Sequence, residues 1–140
     1  ASPSVWNCIV SLNEANLDGG GMECTATSAP AILNSMFLEN RAHRYGGGVA
    51  ATDDSTVTLT NCVVWTNSAD SGSQWYTNAS VFTASWSIVQ DWTGGGSGMS
   101  SSNPCAVPIS GRLTTNSIPC LEKHFLAWNR KGVSFFAGGS

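Results

Sequence analysis

Apolar residues along the chain occur in short clusters rather than in long runs or at helical spacing. Three clusters fall at residues 5–10, 32–37 and 57–64, and stretches rich in glycine and asparagine separate them. Short apolar runs bounded by such turn-forming residues are typical of β-strands joined by tight corners. The pattern therefore predicts an all-β chain with many short strands.

The clusters belong to a repeat of about 27 residues, which is the spacing from Asn7 to Asn34 and from Asn34 to Asn61. A second asparagine follows each of these after six residues, and the glycine triplets 19–21 and 46–48 share the spacing. This second asparagine column consists of Asn13, Asn40 and Asn67. Several columns in phase indicate that each repeat is one structural unit.

A unit of this length is too short for the helix pair of the common α-helical repeats or for a four-stranded propeller blade. It fits one coil of a parallel β-helix, in which neighbouring coils lie about 4.8 Å apart. We expect a short β-helix of three to four coils over residues 1–98, with a degraded fourth unit near 87–96. A Ser-rich linker and an irregular capping or assembly tail should follow over 99–140.

Stacking of equivalent residues assigns a structural role to each column. Two columns should form the apolar core: Val5, Ile32 and Leu59, and Val10, Phe37 and Val64. The column of Cys8, Ser35 and Cys62 should fill a tight interior slot. Asn7, Asn34 and Asn61 should form one structural ladder and Asn13, Asn40 and Asn67 another, the latter at a corner with left-handed backbone. Gly20 and Gly47 should supply corner geometry closed to other residues.

The pattern Asn-Cys-x-φ-x-x-Asn-x-Ala followed by Gly-Gly-Gly, in which φ is apolar, resembles a known class of repeats. These are the right-handed parallel β-helix repeats of secreted and surface proteins in bacteria, including polymorphic outer-membrane-protein-like repeats. The resemblance covers residues 4–98 and, more loosely, 103–120. It implies a right-handed β-helix and a secreted or cell-surface location. It implies no single function, because this architecture hosts lyases, hydrolases, adhesins and structural proteins.

The composition argues against a nucleic-acid partner and against a membrane span. Charged residues make up 11% of the chain, against ~25% in an average soluble domain, and only six residues are Lys or Arg. We therefore expect no nucleic-acid partner. No run of about 18 apolar residues occurs, so we expect no membrane span. Residues 1–91 carry eight acidic and two basic residues, whereas 92–140 carry one acidic and four basic, which would favour head-to-tail contact or simply mark a tail of different composition.

The five cysteines and the tail leave several alternatives open. Cys105 and Cys120, each preceded by proline, are the candidate disulfide, which would stabilise the fold by ~3 kcal/mol. Cys24 has Ala51 and Asn78 in its column, and we expect it to be the unpaired thiol. Leu121, Phe125 and Trp128 share one side of a segment at helical spacing, which would cap the last coil or reach a neighbouring copy.

No group of residues has the pattern of a catalytic site. Asp53 and Asp54 are sequence neighbours that should lie in a turn, with a Ca²⁺ contact as the weaker alternative, and we expect no other metal and no cofactor. Candidate glycan contacts are Trp65, Trp75, Tyr76 and Trp92. The alternative is that these rings fill the interior or cover the last coil. Asn78 begins an Asn-Ala-Ser sequence and is a candidate glycosylation site.

The first coil begins within five residues of the N-terminus, which leaves no room for an amino-terminal cap. Either the chain is part of a longer solenoid or another molecule covers that end. We therefore expect a secreted, non-enzymatic structural protein that self-associates through uncapped β-helix ends, as a filament or other homo-oligomer. The alternative is a carbohydrate-binding or polysaccharide-cleaving β-helix, which as an enzyme would be a polysaccharide lyase or glycoside hydrolase.

Overall fold

A computed structural model describes residues 1–94 and 96 of the chain, and these residues form short parallel strands with no helix among them. The strands are Ser4–Trp6 (β1), Ile9–Ser11 (β2), Glu14–Ala15 (β3), Met22–Cys24 (β4), Ala31–Leu33 (β5), Met36–Leu38 (β6), Arg41–Ala42 (β7), Val49–Ala51 (β8), Thr56–Thr60 (β9), Val63–Trp65 (β10), Trp75–Thr77 (β11), Val81–Ser85 (β12) and Ile88–Val89 (β13).

Within each sheet, neighbouring strands come from successive coils. The first sheet has the order β1-β5-β9-β12, the second sheet β2-β6-β10-β13 and the third sheet β4-β8-β11, with β3 and β7 forming a fourth pair. All of these pairs are parallel. The chain is therefore a β-solenoid of about three turns, as the repeat predicted.

The strand register confirms the apolar columns. Ile32 pairs with Val5 on one side and with Leu59 on the other. Phe37 likewise pairs with Val10 and with Val64. The predicted fourth unit also begins where expected, because Ile88 pairs with Val63.

The third coil is shorter than the first two, and this corrects one predicted column. Arg41 is bridged to Ser68, which keeps the period of the earlier coils, but Tyr45 is bridged to Ser71 and not to Gly72. The residue paired with Ala51 is consequently Thr77 rather than Asn78. A second residue is lost at the next corner. The loss of one residue would pair Val57 with Thr83, but Val57 pairs with Phe82.

The core runs along the interior of the coils and is best sealed in the second and third. Ile32, Phe37, Leu59 and Val64 have no exposed surface, whereas Val5 and Val10 are only partly buried against the same cluster. The expectation of an interior slot for Cys8 is wrong, because Cys8 is exposed while Ser35 and Cys62 are fully buried. Cys8 lies in the first coil, which within residues 1–94 has a neighbouring coil on one side only.

Left-handed backbone occurs at the corners in columns. Asn7, Asn34 and Asn61 have φ of 53°, 50° and 56°. The prediction for the second asparagine column is off by one residue, because positive φ falls on the residue before each asparagine. These preceding residues are Leu12 (59°), Glu39 (51°) and Thr66 (55°). Asparagine therefore serves in that column through its side chain and not through its backbone.

Candidate functional site

The second asparagine column forms a hydrogen-bonded ladder along the stack. Asn13 donates from its backbone N–H (3.2 Å) and its Nδ2 (2.9 Å) to Oδ1 of Asn40. Asn40 donates in the same way to Oδ1 of Asn67, at 2.9 and 3.0 Å. The Nδ2 of Asn40 also donates to the carbonyl of Val10 at 2.9 Å. The amide of Asn40 thus satisfies backbone groups of the neighbouring coil from a buried position.

Two glutamines end this ladder, and the repeat gave no signal for either. Asn67 donates to Oε1 of Gln74 from Nδ2 at 2.9 Å, and Nε2 of Gln74 returns a bond to the Asn67 carbonyl at 3.1 Å. Gln74 Nε2 also donates to Oε1 of Gln90 at 3.1 Å. Gln74 thus accepts from Asn67 as Asn67 accepts from Asn40, and the chain of hydrogen bonds continues to Gln90.

The first asparagine column makes a second ladder in which Asn61 Nδ2 donates to Asn34 Oδ1 at 2.9 Å. The glycine column beside the corner is required by close approach of the backbone. A Cβ on Gly20 would lie 2.4 Å from the carbonyl oxygen of Gly47, and one on Gly47 would lie 2.4 Å from that of Ser68. These two corners therefore exclude any larger residue at the present coil spacing.

The edge of the first coil is the most apolar exposed surface among the described residues. We call the free sides of β1, β2, β3 and β4 the coil-1 edge, because each of these strands ends its sheet. Four of the six large apolar residues exposed in the described part belong to this coil: Trp6 (64%), Ile9 (37%), Leu12 (74%) and Leu17 (60%). Unpaired parallel strands flanked by apolar residues form a surface on which another strand set can pair.

The opposite end of the described solenoid carries a cluster of aromatic rings. Trp75 lies 5.2 Å from Phe82 and 5.2 Å from Trp92, measured between ring centroids, and all three pack against the core. The Nε1 of Trp92 is buried and has no hydrogen-bond partner among the residues that the structure describes. Of the candidate glycan contacts, Trp75 and Trp92 thus lie against the core.

The other two candidate glycan contacts lie on different sheets. Tyr76 is half-buried on β11 and stacks on Tyr45, with centroids 4.3 Å apart and ring planes 9° apart. Trp65 is half-buried on β10, where it pairs with Leu38. The four rings do not form one aromatic row.

A polar groove of about 360 Å³ lies beside the tyrosine stack, and its lining includes Asp18, Glu23, Arg44, Asp53 and Asn78. Asp18 accepts two hydrogen bonds from Arg44, at 2.8 Å from Nε and 2.6 Å from Nη2. These bonds hold the pKa of Asp18 below its ordinary value, although partial burial opposes them. The guanidinium carbon of Arg44 also lies 5.1 Å from the centre of the Tyr45 ring.

Glu14 pairs with two cationic or potentially cationic side chains of the next coil. Its Oε1 lies 2.7 Å from His43 Nε2 and 3.8 Å from Arg41 Nη1. The hydrogen bond with His43 lowers the pKa of Glu14, and the charge of Arg41 adds to the effect. Ion pairs between corners of successive coils were not predicted, because the participating positions carry different residues in each repeat.

Asp53 and Asp54 lie in a turn, with φ of 55° and 59°, and Asp53 Oδ2 accepts a hydrogen bond from Thr25 at 3.0 Å. Asn78, the candidate glycosylation site, is exposed. Within the described part of the chain, no three His, Cys, Asp or Glu side chains are grouped so that they could hold a metal ion. Cys105 and Cys120 fall outside the described residues, as do Leu121, Phe125 and Trp128.

Three described cysteines are free thiols with different environments. Burial raises the pKa of Cys62 to about 12, and burial together with the charge of Glu23 raises that of Cys24 to about 11. Both thiols therefore stay protonated at neutral pH, which makes them poor nucleophiles.

Among the described residues, no helix has the length and apolar character needed to cross a membrane. A comparison of the chain with protein families, with curated proteins and with solved structures found no match.

Proposed function

We propose that the protein is a non-enzymatic structural β-solenoid that self-associates through the coil-1 edge. The observation that supports this most directly is the concentration of exposed apolar side chains on the first coil, beside strands whose outer sides pair with no other strand in the described part of the chain. Association would bury Trp6, Ile9 and Leu12 and pair the free backbone groups of β1 and β2. The assembly would be a filament or another homo-oligomer.

The asparagine ladder leaves a hydrogen-bond acceptor at this interface. The amide oxygens of Asn40 and Asn67 each accept from the coil nearer the N-terminus, so the Oδ1 of Asn13 offers its acceptor capacity to the next coil outward. A second copy that pairs with β2 would need a donor at that place. The coil-1 edge is therefore suited to a partner with hydrogen-bond donors at its corner, as well as apolar side chains.

The proposal includes a secreted or cell-surface location. It is supported by the Asn-Cys and Gly-Gly-Gly columns, which resemble polymorphic outer-membrane-protein-like repeats.

Light scattering of the purified full chain tests the association, with negative-stain microscopy to show its form. We expect an assembly larger than 14.6 kDa that dissociates when Trp6 and Leu12 are both changed to lysine. The matched control is Thr56→Lys with Thr58→Lys, because both threonines are exposed on the third coil and away from the coil-1 edge. A wild-type monomer at high concentration would overturn the proposal, as would equal dissociation of the control.

A second candidate function, carbohydrate binding, is favoured by the polar groove. Stacked tyrosine rings beside an arginine and several carboxylates offer both an apolar surface for a sugar ring and hydrogen-bonding groups for its hydroxyls. Titration calorimetry with polysaccharides tests it, with Tyr76→Ala expected to abolish binding and Trp65→Ala to leave it unchanged. Reducing-end release during the titration would reveal cleavage, and a lack of heat with every polysaccharide would exclude this candidate for that panel.

A further inference from the structure

Four of the outward side chains of the second sheet are buried although they point away from the core, whereas Ile9 is exposed and Trp65 is half-buried. Side chains alternate along a strand, so the inward positions of Phe37 and Val64 place their neighbours on the outside. We call these outward residues the outer strip: Met36, Leu38, Val63 and Ile88. The first three have no exposed surface, Ile88 is 6% exposed, and none of the four belongs to the core cluster.

The first sheet shows what an uncovered outer side looks like. On β9 the inward Val57 and Leu59 are fully buried, whereas the outward Thr56 and Thr58 are exposed. Substantial strand-to-strand packing among the described residues is between neighbours within a sheet. The burial of the outer strip therefore requires a further layer on the second sheet.

Exposure along this strip shows how far the layer extends. Ile9, which is the first-coil member of the Met36 column, is 37% exposed, whereas Met36 and Val63 have no exposure and Ile88 has 6%. The cover thus spans the second, third and fourth coils and ends before the first. A segment that approaches from the C-terminal end of the solenoid would produce this gradient.

The chain leaves the described solenoid at the second sheet. The last strand, β13, is the terminal strand of that sheet, and residues 97–140 follow it in the sequence. Within them, Leu121, Phe125 and Trp128 recur at helical spacing, which predicts one apolar side.

Charge favours the same segment. Lys123, Arg130 and Lys131 accompany its apolar residues. On the second sheet, exposed Glu39 directly follows β6 and exposed Asp91 lies two residues beyond β13. Acidic side chains at the border of the strip would pair with the basic side chains of a segment laid across it.

From these observations we propose that residues 121–136 dock intramolecularly on the outer strip, through Leu121, Phe125 and Trp128. The segment acts as a second layer that ties together the second, third and fourth coils. This docking does not involve the coil-1 edge, so its test is separate from the test of the proposed self-association.

Hydrogen exchange of the full chain, read by mass spectrometry, tests the docking. We expect peptides from 121–136 to be protected in the wild type and to exchange at least about tenfold faster in Val63→Lys, because a buried lysine on the strip opposes an apolar layer. Thr58→Lys is the matched control, since Thr58 is outward on the same coil of the exposed first sheet. It should leave the protection unchanged.

A second variant keeps the test decisive if Val63→Lys unfolds the solenoid, which loss of protection in β6 would reveal. Phe125→Glu alters the docking segment alone and should release 121–136 while β6 and β10 stay protected. Ala127→Glu, on the other side of the predicted helical pattern, should not. Fast exchange of 121–136 in the wild type would overturn the proposal, as would equal effects of Phe125→Glu and Ala127→Glu. Protection that disappears on dilution would also overturn it, because a second copy would then be the cover.

Discussion

Asparagine serves two distinct physical purposes in this solenoid. In the column of Asn7, Asn34 and Asn61 it occupies a left-handed corner, which asparagine tolerates better than most residues. In the column of Asn40 and Asn67 its side chain is buried and replaces missing backbone partners. The same residue type thus recurs six residues apart. The first column combines left-handed backbone with a side-chain hydrogen bond, whereas the second serves through side-chain hydrogen bonds.

Replacement of Asn40 by alanine should destabilise the fold by about 2–4 kcal/mol, because it leaves the Val10 carbonyl and the Asn13 amide without their partner in a part-buried place. Asn13→Ala is the control and should cost less than about 1 kcal/mol, since Asn13 is exposed and its backbone N–H still donates to Asn40. Urea unfolding of both variants measures the difference. Equal losses would contradict the buried role of the ladder.

The thiols of Cys24 and Cys62 should resist alkylation in the native protein. Burial raises their pKa to about 11 and about 12, so few thiolates form at a mildly alkaline pH and reagent has little access. Cys8 is exposed and should react at least about tenfold faster. Site-resolved mass spectrometry after iodoacetamide treatment measures the rates, and the three should become similar in denaturant.

At the level of elements, the corners vary in length from coil to coil, whereas the strands keep their pairing. The strands stay paired residue for residue through all the described coils, yet the corners lose one residue at 68–71 and another before β12. A strand that lost one residue would turn its apolar side chains outward. A corner can shorten when its new backbone still meets the adjacent strands.

The corner at Gly47 should nevertheless tolerate no added side chain. Gly47→Ala would place a Cβ 2.4 Å from the Ser68 carbonyl oxygen and 2.5 Å from that of Ser73, and we expect a loss of at least about 2 kcal/mol. Ser73 follows Gly72 as Gly47 follows Gly46, so Ser73→Ala is the control and should cost less than about 1 kcal/mol. Thermal unfolding compares them, and a stable Gly47→Ala protein would show that the coils can separate locally.

The ion pair between Asp18 and Arg44 should make part of the stability depend on pH. Arg44 lowers the pKa of Asp18 in the folded state from its ordinary value of 3.8, so the stabilisation is complete above about pH 4 and is lost as the pH falls through the lowered pKa. The difference in unfolding free energy between wild type and Asp18→Asn should therefore be constant near neutral pH and shrink below about pH 4. Arg44→Gln should show the same trend, and a difference that does not vary with pH would contradict the assignment.

For the whole molecule, the sequence predicted the repeat, the parallel solenoid and the core columns because stacking makes equivalent residues nearly identical. It did not predict the residues that interrupt the period. Gln74 and Gln90 end the ladder by contacts that no repeat column encodes, and Asp18 and Arg44 meet because two corners with different residues are neighbours in space. The sequence also did not predict that Thr77, rather than Asn78, pairs with Ala51. A corner that is one residue shorter is recognised only from the observed strand register.

The first coil should be more dynamic than the two coils that follow it. Among the described strands, β1 and β2 have one neighbour each and belong to the exposed coil-1 edge, whereas β6 and β10 are paired on both sides. Hydrogen exchange should therefore be fastest in the first coil of the dissociated chain and slowest in the second and third. Equal protection of β2 and β6 in that chain would show that the coil-1 edge is covered.

The constant strand register and the variable corner length have a consequence for the evolution of such a chain. Because the register survives the loss of single residues at corners, a gene encoding this protein can gain or lose whole coils by duplication and then drift in length at the corners. Each added coil would already contain the inward apolar residues and the ladder asparagine, and its outward residues would be free to vary.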